Sequence, residues 1–239
     1  MFRALILSGL LALPTTAMAQ DLSPDQVKKL ALEAILENPE IVMQAVEILR
    51  ARDAAAAEAA AQETLSDGRA ALERDPNAPV LGNPDGDVTV VEFFDYNCPY
   101  CQRAGEQVNE ALGLDDGIRV VMREWPILGE GSVWAARAAL ASRTQGMYPE
   151  FHEALMGART RLGETTVLKI AADIGLDVVQ LRADMDAPEV TAHIETSMQL
   201  AQQLGFSGTP SFVVGETLAP GLITSAQLLE MVDELRAAQ

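Results

Sequence analysis

The stretch Val88-Thr89-Val90-Val91-Glu92-Phe93-Phe94-Asp95-Tyr96-Asn97-Cys98-Pro99-Tyr100-Cys101 decides the fold. Val88 to Phe94 is β-branched and aromatic, with the length and composition of a buried strand. Two cysteines follow with two residues between them, and they are the only cysteines of the chain. Pro99 suits the first turn of a helix, where it has no N–H to lose. A strand that empties into Cys-x-x-Cys and a helix is a redox-site pattern. The helix N-terminus offers free N–H groups and partial positive charge, which favour a thiolate over a thiol. A bridge from Cys98 to Cys101 would close almost no loop and stabilise little. The pair therefore points to chemistry rather than to stapling.

Downstream, Gly113 to Gly117 predicts a turn and Ile118 to Trp125 a second strand, which makes a βαβ unit with parallel strands. From Gly129 to Ala187 the pattern turns helical, with helices predicted at Val133–Ala141, Tyr148–Met156, Thr165–Ile174 and Val178–Met185. Pro188 opens a longer helix to Leu204. Gly208-Thr209-Pro210-Ser211-Phe212-Val213-Val214-Gly215 reads as a short strand entered through a proline, with Thr217-Leu218 as its hairpin partner. Ser225 is the predicted cap of a last amphipathic helix.

Upstream, Ser23-Pro24-Asp25-Gln26 has the residues of a helix start: Ser as N-cap, Pro at N1, Gln at N3. Asn38-Pro39-Glu40 starts a second helix, expected to continue through an alanine-rich segment to about Arg74. Asp75 to Pro79 breaks it, which places a domain boundary near Val80. The arm at 20–79 thus precedes a domain at 80–239. Its apolar faces, Val27 to Leu49, suggest self-association through residues 22–74. Residues 1–19 carry a positive start, a short apolar run and Ala17-Met18-Ala19, the pattern of a cleavable signal peptide. That run is shorter than the roughly 20 apolar residues a bilayer needs. The chain is then exported to an oxidising compartment, read as the periplasm.

The 239 residues include 17 Lys+Arg against 35 Asp+Glu, a formal charge of −18. That balance argues against nucleic acid and anionic membranes as partners and suits a soluble surface. A closed zinc site wants about four ligands, and the two histidines do not complete one. His152 and His193 are read as surface or packing residues, Trp125 and Trp134 as core or groove lining. No metal site and no cofactor is expected, although two thiolates suit Cu(I), which is soft.

Strand, Cys-Pro-Tyr-Cys, helix, strand, helical insertion, then Thr-Pro-strand-turn-strand-helix resembles the DsbA family of the thioredoxin superfamily from about Val80 onward. The Asn-Pro-Glu arm is similar to that of suppressor-of-copper-sensitivity C and Com1-like proteins. The resemblance implies an α/β thioredoxin-like fold with a helical insertion at about 129–187. It implies a thiol–disulfide oxidoreductase acting on cysteine-containing exported proteins and reset by a membrane redox partner. Cys98 is then the attacking thiolate and Cys101 the buried resolving thiol. Pro99 and Tyr100 tune the thiolate. Tyr100 stands where the family often bears histidine, which removes one charge-capable neighbour of Cys98. Glu92 matches a buried acid that relays protons to or from Cys101, and its apolar neighbours argue for burial. Thr209-Pro210 resembles a cis-proline loop that contacts substrate, although only about 5–6% of X–Pro bonds are cis. Three uses of the pair stay open: an oligomeric isomerase or reductase, a monomeric dithiol oxidase, and copper binding.

Overall fold

A computed structural model describes residues 22–238. The expected signal peptide lies outside the described residues. The chain divides into two compact units between Arg52 and Asp53.

In the first unit, α1 (Pro24–Glu37) begins as the capping pattern predicts. Ser23 Oγ accepts from Gln26 N–H, and the Gln26 side chain accepts from Ser23 N–H. No residue of α1 is buried. Val27, Leu30, Leu32, Ile35 and Leu36 are all exposed, as are Ile41, Val42, Met43, Ile48 and Leu49 at the start of α2 (Glu40–Ser66).

In the second unit the sheet order is β1-β3-β2-β4-β5. Its strands are β1 (Val80–Gly82), β2 (Val88–Phe94), β3 (Ile118–Glu124), β4 (Ser211–Val214) and β5 (Thr217–Pro220). β2 and β3 pair in parallel, joined by α4 (Pro99–Leu114), as expected of a βαβ unit. β4 adds antiparallel to the other side of β2, and β5 pairs with β4 as a hairpin. Gly215 turns that hairpin at φ +60°, and a Cβ there would sit 2.8 Å from Leu235. β1 is an unanticipated strand of three residues. It pairs antiparallel with β3.

The central strands are apolar on both faces because both faces are covered. Val88, Val90 and Phe94 point into a core shared with Cys101, Ala104, Val108, Leu228 and Val232, the last two from α10 (Ser225–Ala237). Val91, Phe93, Val121 and Val213 point the other way, onto Leu65, Leu72, Leu200 and Phe206. Leu65 and Leu72 had been assigned to the arm. They are at most 2% exposed and belong to the sheet's second layer. The long helix does not run on to Arg74 either: it stops at Ser66, and α3 (Arg69–Glu73) follows. Gly68 sits at the break, where a Cβ would come within 2.7 Å of Thr64 O. Arg123 of β3, fully buried, reaches Asp75 Oδ2 at 2.7 Å and Leu72 O at 3.1 Å, which ties this layer down.

The insertion comprises α5 (Glu130–Ala141), a 3-10 turn at Ser142–Gln145, α6 (Tyr148–Met156), α7 (Glu164–Asp173) and α8 (Val178–Asp184). α9 (Pro188–Gln203) returns the chain to the sheet, and α10 closes it. The cap of α10 is Thr224 rather than Ser225: its side chain accepts from Gln227 N–H and completes a capping box. Among the described residues no helix is long and apolar enough to cross a membrane.

Candidate active site

β2 delivers the motif to the end of the sheet, and α4 begins within it. Cys98 is the N-cap of α4, extended at φ −87° and ψ 116°, with Pro99 at the first helical turn. Its N–H donates to Asp95 O at 3.0 Å, and its carbonyl accepts from the N–H groups of Cys101 and Gln102. The Cys98 thiol donates to Thr209 O at 3.3 Å, so the loop more than a hundred residues away faces the sulfur as the resemblance implied. The Thr209–Pro210 peptide is cis.

The two thiols are pushed in opposite directions. Cys98 falls from 9.0 to about 5 because the Cys101 thiol donates to its sulfur. The Thr209 side chain and the backbone N–H groups of Cys101 and Tyr100 add to this, against the opposing cost of burial. A stabilised thiolate is the attacking species in disulfide exchange. Cys101 is fully buried, and that burial holds its thiol far above the usual range, reinforced by the hydrogen bond it gives Cys98. The Asp95 N–H, 3.5 Å from Cys101 Sγ, works weakly the other way. Both cysteines are free. One is thus primed to attack while its partner keeps its proton in reserve.

Glu92 lies between Met122 and Phe212 in the sheet register. Strand alternation puts it on the Val90–Phe94 face, beneath α4. It is 1% exposed, and its Oε1 has no hydrogen-bond partner. Burial raises it from 4.5 to about 8, so it is largely protonated at neutral pH. Its side chain makes no hydrogen bond to either cysteine among the described residues. Tyr100 is exposed on the first turn of α4, and the Arg103 guanidinium stacks 4.5 Å above its ring.

Sequence reasoning missed three residues that shape this site. Asp95 is 1% exposed. Its Oδ1 accepts from Asn97 N–H at 2.8 Å and its Oδ2 from Leu128 N–H at 2.9 Å. Asn97 ties the motif to the insertion: its Oδ1 accepts from Leu162 N–H at 2.7 Å, and its Nδ2 donates to Leu162 O and Ser132 Oγ. Gln102 Nε2 donates to Ala158 O. The detectable signal was the polar pair beside the cysteines in an otherwise apolar stretch. Both histidines are buried packing residues, as one of the two readings had it. Tyr96 Oη meets His152 Nδ1 at 3.0 Å, and His193 Nε2 lies 2.6 Å from Glu124 Oε2. No group of three or more His, Cys, Asp or Glu residues is placed to hold a metal among the described residues.

Comparison with known proteins agrees with this geometry. Residues 89–233 match the DSBA-like thioredoxin domain, and residues 25–56 match the copper resistance protein ScsC N-terminal domain. A thioredoxin-like oxidoreductase from Silicibacter pomeroyi is 62% identical, covering 72% of this chain and 99% of its own, with a TM-score of 0.71. A linker-deletion mutant of Proteus mirabilis ScsC is 25% identical over 91% of this chain and 98% of its own, with a TM-score of 0.69. The thiol:disulfide interchange protein DsbA of Bordetella parapertussis is 27% identical over 66% of this chain and 80% of its length. Some curated relatives are far longer: the chain spans 22% of the Na(+)/H(+) antiporter NhaA of Herminiimonas arsenicoxydans, at 32% identity over 56% of this chain. With the matched domain covering most of the second unit and Cys98 at the start of α4, the chain belongs to the DsbA-like family of thioredoxin-fold thiol–disulfide oxidoreductases.

Proposed function

We propose that this protein exchanges disulfides with exported, cysteine-containing proteins, as an oligomeric isomerase or reductase. The observation that carries the reading is the opposed pair: Cys98 at the helix N-cap, lowered to about 5, above a buried and protonated Cys101. Cys98 thiolate attacks one sulfur of a substrate disulfide. A Cys98–substrate bond forms, the substrate S–S bond breaks, and the other substrate sulfur leaves as a thiolate. Cys101 then loses its proton and attacks Cys98, which releases the second substrate thiolate and leaves the Cys98–Cys101 disulfide. Glu92 accepts or returns the Cys101 proton. Pro99 and the backbone N–H of Tyr100 tune the thiolate from the helix start, and Thr209-Pro210 lends its backbone to an extended substrate segment.

The oligomer rests on the first unit. Ten large apolar side chains from Val27 to Leu49 are exposed, an arrangement that asks for a partner. An isomerase must keep Cys98 reduced, and an oligomeric cleft excludes an oxidising partner. A leader in residues 1–19 and the periplasmic setting of the reading go together. A membrane redox partner resets the pair. The runner-up is a monomeric dithiol oxidase, favoured by the stabilised thiolate, which makes the reduced form stable and disulfide donation favourable. A copper role for the same cysteines has only the family name of the matched arm behind it.

Insulin reduction and refolding of scrambled ribonuclease, each with a Cys98→Ala control, test the activity. A Cys98→Ala protein that still reshuffles disulfides overturns it. Sedimentation of the chain from Gln20 and of a chain starting at Asp53 tests assembly. Two monomers would leave the oxidase.

A further inference from the structure

Cys98 sits between two walls. One is the Thr209–Pro210 backbone. The other is built from the turn after β3 and from the insertion, and hydrogen bonds close it into a ring. Asp95 Oδ2 holds Leu128 N–H, while Arg161 Nη2 holds Leu128 O at 2.7 Å. Asn97 grips both backbone groups of Leu162, next to Arg161, and reaches Ser132, next to Val133. Gln102 secures Ala158. Gly131 is the close-approach point, where a Cβ would come within 2.1 Å of Leu162 O. A surface anchored on both sides of the cysteine motif is preorganised, which is how a binding site avoids ordering costs.

The exposed side of this wall is chemically specific. Ile127, Leu128 and Val133 are 41%, 39% and 38% exposed, three aliphatic side chains at one lip. Arg161 is exposed, and one of its guanidinium nitrogens serves Leu128 O. Arg159 is exposed on the same loop, and Arg103 is exposed on α4 above Tyr100. None of these three arginines forms an ion pair among the described residues, and nearby Glu164 is taken by Arg182 at 2.6 Å. Glu130, at the start of α5, is the opposing charge of the wall. Three exposed arginines without an ion pair among the described residues, set against the single carboxylate of Glu130, run against a chain of net charge −18. They mark this surface as the place where an anionic partner is drawn in.

We propose that this wall is a specificity surface for the substrate segment next to the reacting cysteine. An aliphatic side chain of the substrate packs on Ile127, Leu128 and Val133, and an acidic one pairs with Arg161. The inference rests on the oxidoreductase reading and names its substrate class: cysteines flanked by aliphatic and acidic residues. The wall is tied by hydrogen bonds to Asp95, Asn97 and Gln102, the residues on either side of Cys98, which brings it near a segment joined to that sulfur.

The test uses the full chain with its Cys98–Cys101 disulfide formed. A peptide thiolate attacks Cys98. The peptide–Cys98 bond forms, the Cys98–Cys101 bond breaks, and Cys101 leaves as a thiolate that takes a proton. Peptides Gly-Leu-Cys-Asp-Gly and Gly-Leu-Cys-Lys-Gly are compared by quenched mass spectrometry. Rates are expressed per peptide thiolate, because the neighbouring charge alters the peptide's own thiol. One exposed ion pair supports about a fivefold preference for the Asp peptide, shrinking as salt rises. In Arg161→Glu the preference inverts, and the Lys peptide becomes the faster substrate. Equal per-thiolate rates for the two peptides with the unsubstituted protein, across salt, overturn the wall whether or not Arg161→Glu folds. Loss of rate with both peptides in Arg161→Glu marks misfolding, and the comparison with the unsubstituted protein then decides. Failure of the unsubstituted protein to react with 2-mercaptoethanol, which carries no charge and no side chains, would instead sink the oxidoreductase reading.

Discussion

Glu92→Gln should make the protein more stable, and by an amount that depends on pH. The carboxyl is 1% exposed and its Oε1 has no partner. Burial raises it from 4.5 to about 8, so the unfolded chain releases its proton well before the folded one does. Below pH 4.5 both states hold the proton and the residue is neutral in its effect. As pH rises from 4.5 to 8, the unfolded state binds fewer protons than the native state, and stability falls. At about 1.4 kcal/mol per pH unit, the loss is about 3 kcal/mol at pH 7 and about 5 kcal/mol above pH 8. Glutamine has nearly the same shape and no proton to lose. Urea unfolding of both proteins, with cysteines kept reduced, should show midpoints that separate steadily between pH 4.5 and 8 and then run parallel. The slope with urea should match between the two, so that the gap reports stability alone. The same substitution should slow the step in which Cys101 attacks Cys98, on the order of 100-fold for a lost proton acceptor. A stability gap that stays constant with pH would refute the buried, unpartnered state of Glu92.

Three further outcomes follow from the same geometry. Cys101→Ala should raise the Cys98 pKa above its value of about 5, since the Cys101 thiol is the first contributor to the lowering; thiolate absorbance at 240 nm against pH reads it, and an unmoved midpoint would count against the sulfur–sulfur hydrogen bond. His152 is pushed down from 6.5 to about 4 by burial, so the unfolded chain gains a proton that the fold refuses, and about 3 kcal/mol of stability disappears as pH falls from 6.5 to 4. His152→Phe should flatten that acid limb in urea titrations while costing about 1–3 kcal/mol at neutral pH for the Tyr96 hydroxyl left alone. Leu72→Ala, at a side chain 0% exposed, should cost about 2–5 kcal/mol; a cost under 0.5 kcal/mol would return residues 61–78 to the arm.

The half of the fold that carries the cysteines was legible because its signals are local. A β-branched run, a proline at N1 and period-3.6 leucines each act within a few residues. The missed features are those whose cause lies far along the chain. Asp95 and Asn97 look like ordinary turn formers until Leu128 and Leu162 arrive from 33 and 65 residues away. β1 is too short to declare itself, and only the free edge of β3 makes it a strand. The alanine-rich end of α2 has little to bury, so two lone leucines, Leu65 and Leu72, gave no periodic signal of the layer they join. The burial of Glu92 and the place of Thr209 beside Cys98 were legible for a different reason: a carboxylate in an apolar strand and a Thr-Pro before a strand are anomalies that resemblance could match.

The tyrosine between the cysteines bears on what sets the direction of exchange. Its presence in place of histidine suggested a weaker pull on the Cys98 proton. Cys98 nevertheless falls to about 5, and the causes are the Cys101 thiol, Thr209 and backbone N–H groups. None of these depends on the side chain at position 100. Even Arg103, held over the Tyr100 ring, is absent from them. Thiolate stability here belongs to the helix start and the facing loop. A stable thiolate favours disulfide donation, and it also keeps Cys98 in its attacking form wherever the pair is held reduced. The choice between them must then come from whatever controls access of an oxidant to Cys98. On our reading that control lies in the exposed apolar faces of α1 and α2, in a different unit of the chain from the cysteines, so position 100 is the wrong place to look for the direction of the chemistry.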